Sequence, residues 1–161
     1  MGIEIRPARM EDAGLVADMA VALTGEIMAA TGVRHFDVDP PRTAGLCERL
    51  LAAGAYVALI ARDGSRAIGF AGLCESHALY TEGAFGIVQE FYVVPEVRSA
   101  GVGAALLGAA RDYARLRGWK RLELCTPPLP AFQRSLAFYE RNGFEVTGGR
   151  KMKCVLTEGG R

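Results

Sequence analysis

A turn between a strand and a helix, at residues 93–103, constrains this chain more than any other feature. Residues 86–94 before it are β-branched and aromatic and end at Pro95, which predicts a buried strand. Apolar residues then recur at helical spacing up to Gly118, which predicts a helix packed on a sheet. These residues are Val102, Ala105, Leu106, Ala109, Tyr113 and Leu116. The chain is therefore expected to place a helix start directly after a central strand.

The turn has the chemistry of an anion-binding site. The first amides of the helix, from Ala100 to Ala104, lack partners within the helix and lie at the positive end of its dipole. Gly101 and Gly103 allow a ligand to approach the backbone closely. Arg98, just before the turn, can add a charge-assisted contact to a phosphate.

Residue spacing separates three kinds of anion site. A Walker loop requires Gly-Lys followed by Ser or Thr, and this turn contains no lysine. A dinucleotide-binding fingerprint requires a third glycine where the chain has Leu106, although Glu123 lies at about the right distance for a ribose contact. The third pattern, Arg-x-x-Gly-x-Gly, is present in full. An ordinary tight turn that caps a helix is the structural alternative.

With this third pattern the chain resembles the GCN5-related N-acetyltransferase (GNAT) superfamily, whose coenzyme A pyrophosphate loop follows a strand and a proline. Residues 137–144 resemble the second signature of the superfamily, in which a helix carries Phe138-Tyr139 and ends at Gly143-Phe144. Residues 121–126 alternate as a strand before three prolines, where the family has its fifth strand. The resemblance is specific over residues 86–146.

The resemblance implies a fold class, and the rest of the chain is consistent with it. We expect a mixed α/β (α+β) fold over residues 1–161: one GNAT-like domain whose mostly antiparallel mixed sheet is splayed at the cofactor site and flanked by helices. With 161 residues, half of them hydrophobic, the chain supports one core. A last strand pair is predicted between Phe144 and Leu156.

Upstream, local patterns predict the remaining elements. Residues 3–7 are expected to form a strand, and residues 15–27 a helix. A second helix is predicted from Pro41 to about Gly54, with Leu46, Leu50 and Leu51 on its inner side. Strands at residues 56–61 and 67–73 flank an Asp-Gly hairpin turn, and a polar loop is predicted at residues 76–83.

Composition narrows the partners and the compartment. A formal charge of +1 gives no field that would attract nucleic acid or an anionic membrane. We find no signal peptide and no apolar stretch of about 18 residues, so we expect a cytoplasmic protein without a membrane span. The cysteines at positions 47, 74, 125 and 154 lack close pairing and are predicted to be reduced core thiols, with no metal site.

Acetyl transfer to an amine requires a base, because an alkylammonium with a pKa of about 10.4 is almost fully protonated near neutral pH. Glu90 lies on the central strand, where the resemblance implies that a glutamate often serves as base. The alternative is a carboxylate that pairs with an arginine or faces the groove without catalysis. Gln89 is expected on the opposite face by strand alternation and cannot act as a base.

The resemblance also implies roles around the central strand and the last helix. The backbone of Phe91 and Val93 would pair with the pantetheine arm, and a backbone amide there would hold the thioester oxygen. Tyr139 would act as general acid toward the departing thiolate or as a hydrogen-bond donor to it; the alternative is a half-buried tyrosine that only packs. The predicted cofactor-binding set is Phe91, Tyr92, Val93, Arg98, Ser99, Ala100, Gly101, Val102, Gly103, Ala104, Ser135 and Phe138.

The last helix departs from the family pattern at two positions. The family usually has Asn seven residues before the tyrosine and Ala four residues before it, and this chain has Phe132 and Ser135. A usual cofactor contact is therefore missing, and Ser135 or Gln133 is the candidate replacement.

Residues 33–39 are predicted to wall the acceptor site, since in this fold the connection between the first two helices often does so. Arg34, His35, Asp37 and Asp39 make that wall polar, and either aspartate is a candidate to attract a cationic amine. His77 lies in another predicted loop, and neither histidine has metal-ligand spacing. Solvated loop residues are the structural alternative.

The sequence thus predicts an N-acetyltransferase that uses acetyl-CoA as acyl donor, by direct attack of an amine on the thioester. The acceptor is a small-molecule or peptide amine that the sequence does not identify, and a homodimer is an open alternative to a monomer. Cys125 is the candidate for an acyl carrier, but its predicted strand position favours a core role. Two functional alternatives are a catalytically silent coenzyme A-binding or sensing domain, and an enzyme with a hydroxyl acceptor or a longer acyl donor.

Overall fold

The computed structural model describes residues 1–34 and 36–156. Its elements, in chain order, are β1 (Ile3–Pro7), α1 (Ala13–Thr31), α2 (Pro40–Ala52), β2 (Val57–Asp63), β3 (Arg66–Ala78), β4 (Gly83–Val93), α3 (Val102–Leu116), β5 (Leu122–Leu124) and α4 (Gln133–Arg141). Short 3-10 helices lie at Met10–Asp12 and Pro95–Val97. The predicted mixed α/β class is confirmed.

The sheet is mixed and it opens at one point. Its strands lie side by side in chain order, from β1 to β5. The first four are antiparallel neighbours, and β5 runs parallel to β4. β5 pairs only with Gly86–Val88, whereas β4 continues to Val93. The two strands therefore separate after Val88, which is the predicted splay.

Two hydrophobic clusters cover the two faces of the sheet. α3 packs Val102, Leu106 and Ala110 on one face, and α1 and α2 pack Val16 and Cys47 on the other. Two residues predicted to lie inside are instead exposed, Leu46 on α2 (47%) and Leu116 on α3 (87%). The buried residues of each helix lie at neighbouring positions, such as Cys47 on α2 and Ala114 on α3, so these two leucines face solvent.

The structure also corrects two predicted connections. Residues 76–83 are not a polar loop: β3 continues to Ala78, and a tight turn leads to β4 at Gly83. Residues 142–156 contain neither helix nor strand, so the predicted last strand pair is absent from the described chain. Gly148 (φ 92°) and Gly149 (φ 79°) interrupt the extended backbone that a strand there would need.

The expectation of no long apolar stretch is wrong. Met10–Thr31 forms a helical stretch of 22 residues, with a mean hydropathy of 1.5, which is long and apolar enough to cross a membrane by length and composition. In the fold, Val16 and Met19 of this stretch are buried against Phe70 of β3 and Tyr92 of β4. These two side chains of the stretch therefore pack into the core.

The cysteines differ in burial, although all four are unpaired. Cys47 is buried and Cys74 is half-buried, which confirms the core prediction for Cys47. Cys125 and Cys154 are exposed, so the core prediction is wrong for them. Cys125 follows the end of the short β5, and Cys154 lies in the segment without regular structure.

Candidate active site

The turn after β4 presents free backbone amides at the start of α3. Gly101 caps the helix in a left-handed conformation (φ 88°), and the first helical bond runs from the Ala105 amide to the Gly101 carbonyl. The amides of Val102, Gly103 and Ala104 therefore donate to no described carbonyl. A Cβ at Gly101 would meet no heavy atom within 4 Å, so the space beside this capping residue is open. The geometry suits an anion.

Arg98 is already engaged by protein groups. Its guanidinium makes two 2.7 Å hydrogen bonds to the Glu26 carboxylate on α1, and its Nε donates to the Val93 carbonyl at 2.9 Å. It also lies 5.6 Å from the centre of the Tyr92 ring. In this arrangement Arg98 joins α1 to the end of β4, rather than pointing at the free amides.

The gap between β4 and β5 exposes the backbone of two predicted residues. The Val94 amide donates to the Ile68 carbonyl on β3 at 3.0 Å. Because backbone groups alternate along a strand, those of Phe91 and Val93 point away from β3, into the gap. The Val93 carbonyl accepts from Arg98, which leaves the Phe91 backbone without a ladder partner on that side among the described residues.

Glu90 lies in a slot made with Tyr56 and Gly72. The Tyr56 hydroxyl donates to Glu90 Oε2 at 2.7 Å, and Gly72 is the register partner of Glu90 on β3. A Cβ at Gly72 would overlap the Tyr56 hydroxyl and lie 2.8 Å from Glu90 Oε2. Burial raises the pKa of Glu90, while the Tyr56 hydrogen bond and the charge of Lys151 lower it. The result is a carboxyl group with a pKa above its ordinary value.

A β-bulge overturns the predicted orientation of Gln89. Gly72 pairs with Glu90 and Leu73 pairs with Val88, so Gln89 is an extra residue on β4. Burial and the charge of Glu90 raise the pKa of Cys74, and a hydrogen bond with Gln89 opposes this increase. Gln89 and Glu90 therefore both act on this thiol from one face, because simple alternation fails at the bulge.

Tyr139 closes the opposite face of the gap. Its ring is buried among aromatic rings, with centroids 5.9 Å from Phe91, 5.3 Å from Phe138 and 5.8 Å from Phe144. Burial raises its pKa to about 12, and its hydroxyl makes no hydrogen bond with a described residue. Tyr139 also lines a cleft of about 770 Å³ between α3, β5, α4 and residues 143–151. Its hydroxyl is thus a protonated, unused donor.

The other predicted residues of α4 lie near the turn. The Phe138 ring packs on Gly103, where a Cβ would lie 2.9 Å from its Cζ atom. Ser135 lies one helical turn before Tyr139 and is half-buried, whereas Gln133 is exposed. Phe138 therefore brings α4 against the first turn of α3.

Both aspartates of the predicted acceptor wall make local contacts within the described residues. Asp39 caps α2 by accepting from the Arg42 amide at 3.0 Å, and Asp37 pairs with Arg34 at 3.5 Å. A cavity of about 500 Å³ beside them is lined mainly by apolar side chains. Its lining residues are Met28, Ala29, Gly32, Val33, Arg34, Phe36 and Val38.

Of the two histidines, only His77 lies in the described part of the chain. His77 lies on β3 rather than in a loop and faces Glu75 at 3.6 Å, while His35 lies outside the described residues. The described residues contain no group of three or more side chains suited to a metal.

Sequence reasoning missed three side chains that shape the site. Tyr56 and Glu26 lie far from their partners in sequence, and Lys151 lies in a segment predicted as a strand. Of the three, only Tyr56 could have been expected from the sequence to make such a contact, because the hydroxyl of a buried tyrosine requires a hydrogen-bond partner.

Two proteins named as acetyltransferases match part of this chain. An uncharacterized N-acetyltransferase, YhfO of Bacillus subtilis, is 37% identical over 99 residues, which are 62% of this chain and 65% of that protein. An IAA acetyltransferase of Azospirillum brasilense is 33% identical over 90 residues, which are 56% of this chain and 55% of that protein. The chain thus matches less than two thirds of the length of either relative.

A solved structure supports the same fold. A probable acetyltransferase superimposes with a TM-score of 0.78 over 96% of this chain and 99% of its own, at 22% identity. At that identity the likeness shows the fold alone. The sequence profile of the acetyltransferase (GNAT) domain matches residues 54–146. Because this match covers more than half of the chain, the protein belongs to the GNAT acetyltransferase domain family.

Proposed function

We propose that residues 1–161 form one acetyl-CoA-dependent N-acetyltransferase domain, in which an amine attacks the thioester directly. The proposal rests on one observation: Glu90 and Phe91 are consecutive on β4 beside the gap, and their side chains lie on opposite faces of the sheet. Glu90 faces Tyr56 and Cys47 on the α1 and α2 side, and Phe91 contacts Tyr139 on the α3 side. A thioester in the gap would have a base on one side and a hydroxyl donor on the other.

The residues present suit coenzyme A. The free amides of Val102, Gly103 and Ala104 would hold the pyrophosphate, and the Phe91 backbone in the gap would pair with the pantetheine arm. Acetyl-CoA would supply the activated acyl group. The Phe91 amide is also the donor best placed to stabilise negative charge on the acyl oxygen.

Glu90 and Tyr139 divide the proton chemistry. Glu90 accepts a proton from the acceptor ammonium. Its raised pKa reduces the difference between the pKa of the carboxyl group and that of the ammonium group, which is about 10.4. Tyr139, with a pKa of about 12, stays protonated and donates a hydrogen bond to the leaving sulfur. Because a thiolate of pKa about 8.5 is a weaker base than this phenolate, stabilisation rather than full proton transfer is the role of Tyr139.

The cofactor site is tested by calorimetric titration with acetyl-CoA. Gly101→Glu should abolish binding, because it adds a carboxylate at the residue that caps the free amides, and this charge would repel a phosphate. Gly118→Glu is the matched control, since Gly118 also has a positive φ (72°) and open space, but at the far end of α3. Binding lost only in the Gly101 variant supports the proposal; a folded wild-type protein that does not bind acetyl-CoA refutes it.

Catalysis is tested separately from binding. Glu90→Gln should keep acetyl-CoA affinity but lose coenzyme A release with an amine library, whereas a silent binding domain would show no release even in the wild type. Cys125 is exposed in the cleft, so Cys125→Ser tests direct attack: unchanged turnover excludes an acyl-enzyme on this thiol.

Longer acyl donors and hydroxyl acceptors in the same assay define the acyl and acceptor classes.

A further inference from the structure

The segment after α4 passes the proposed site and carries a lysine. Phe144 holds its start, with its amide donating to the Tyr139 carbonyl at 3.0 Å and its ring against the Tyr139 ring. Lys151 follows seven residues later, is exposed and lines the same cleft as Tyr139. The charge of Lys151 also acts on Glu90. Lys151 therefore shares a cleft with the proposed donor, Tyr139.

Lysine is scarce in this chain, which sets Lys151 apart. The sequence has only three lysines, at positions 120, 151 and 153. Lys120 is held by Glu82 at 3.0 Å, whereas Lys151 forms no ion pair with a described side chain. Arginine, which provides the other cations, keeps its proton and is a poor acyl acceptor.

We propose that Lys151 is an intramolecular acyl acceptor, so that the protein acetylates its own segment that follows α4. This inference rests on the proposed function. The tether from Phe144 to Lys151 spans at most roughly 25 Å. Because the amine is part of the same chain, its effective concentration at the site is on the order of millimolar.

The acyl transfer to Lys151 requires no reactant other than acetyl-CoA. Glu90 takes one proton from the Lys151 ammonium and returns it to solvent. The neutral nitrogen forms a bond to the acyl carbon as the carbon–sulfur bond breaks, and the second nitrogen proton ends on the thiol. Tyr139 donates a hydrogen bond to the sulfur as it leaves. Each chain takes up one acetyl group, and the product lacks the positive charge of Lys151.

The test uses the full chain with isotopically labelled acetyl-CoA and no added acceptor, followed by peptide mass spectrometry over time. Lys153 is an internal control, since it has the same chemistry, is also exposed and lies two residues away. We expect labelling of Lys151 at least about tenfold faster than of Lys153. The rate constant should be independent of protein concentration, as an intramolecular reaction requires.

Variants separate catalysis from chemical acetylation by the thioester. Glu90→Gln should reduce the labelling of Lys151 to the rate of Lys153, and Lys151→Arg should remove the fast label while Lys153→Arg keeps it. Equal rates at the two lysines, or a Lys151 rate unchanged by Glu90→Gln, would overturn the inference.

The inference and the proposed function fail in different ways. A protein that binds acetyl-CoA and releases coenzyme A with library amines, but leaves Lys151 unlabelled, overturns only the inference. A folded protein that does not bind acetyl-CoA overturns both.

Discussion

The hydrogen bond from Tyr56 to Glu90 gives the sharpest prediction, which is that Tyr56→Phe destabilises the fold in a pH-dependent way. The bond is 2.7 Å long and lies in a partly buried slot. A hydrogen bond to a charged group contributes about 1.5–3 kcal/mol, whereas one between neutral groups contributes about 0.5–1.5 kcal/mol. The loss should therefore be larger where Glu90 is ionised.

The sign follows from the pKa of Glu90. Burial raises this pKa in the folded state, so Glu90 favours folding below the unfolded pKa of about 4.3, and this contribution is lost as pH rises through the folded pKa. Tyr56 limits that loss by stabilising the carboxylate. Without its hydroxyl, the folded pKa rises further, and the variant loses more stability at neutral pH than at acid pH.

Urea unfolding at several pH values measures the effect, and Tyr80→Phe is the matched control. The Tyr80 hydroxyl donates to both oxygens of Glu123 at 3.1 Å, but Tyr80 is 67% exposed. Its loss should change the free energy of unfolding by less than about 0.5 kcal/mol. The acid limb of kcat/KM should also move to higher pH in Tyr56→Phe. Equal effects of the two variants, or a larger Tyr56 effect at acid pH, would refute this reasoning.

Three further substitutions test other parts of the site. Gly103→Ala should destabilise the protein by about 1–3 kcal/mol in urea unfolding and weaken acetyl-CoA binding, because the new Cβ would press on Phe138. Tyr139→Phe should lower kcat by about tenfold or more with an unchanged acetyl-CoA affinity, and the wild type should show no basic limb from this phenol below pH 10. Glu26→Gln should cost no more than about 1 kcal/mol, because the pair is half-exposed, and should tighten acetyl-CoA binding by freeing Arg98. An unchanged affinity in that variant would give Arg98 a purely structural role.

Local signals in the sequence predicted the strand, turn and helix around Gly101, because proline, glycine and helical periodicity act over a few residues. The side-chain partners were not predictable in this way. Glu90 meets Tyr56 across 34 residues, and Arg98 meets Glu26 across 72 residues. Gln89 was misplaced because a bulge depends on the pairing of two strands rather than on the sequence of one.

Two glycines of the site lie directly against aromatic side chains, which leaves no room for a larger residue at either position. The Tyr56 hydroxyl occupies the space of a Cβ at Gly72, and the Phe138 ring does nearly the same at Gly103. In both places an aromatic side chain packs directly on backbone, one beside the proposed base and one beside the free amides. A larger residue at Gly72 would displace the Tyr56 hydroxyl that holds Glu90, and one at Gly103 would displace α4. The positions of base and cofactor site are therefore fixed by packing rather than by the motif residues alone.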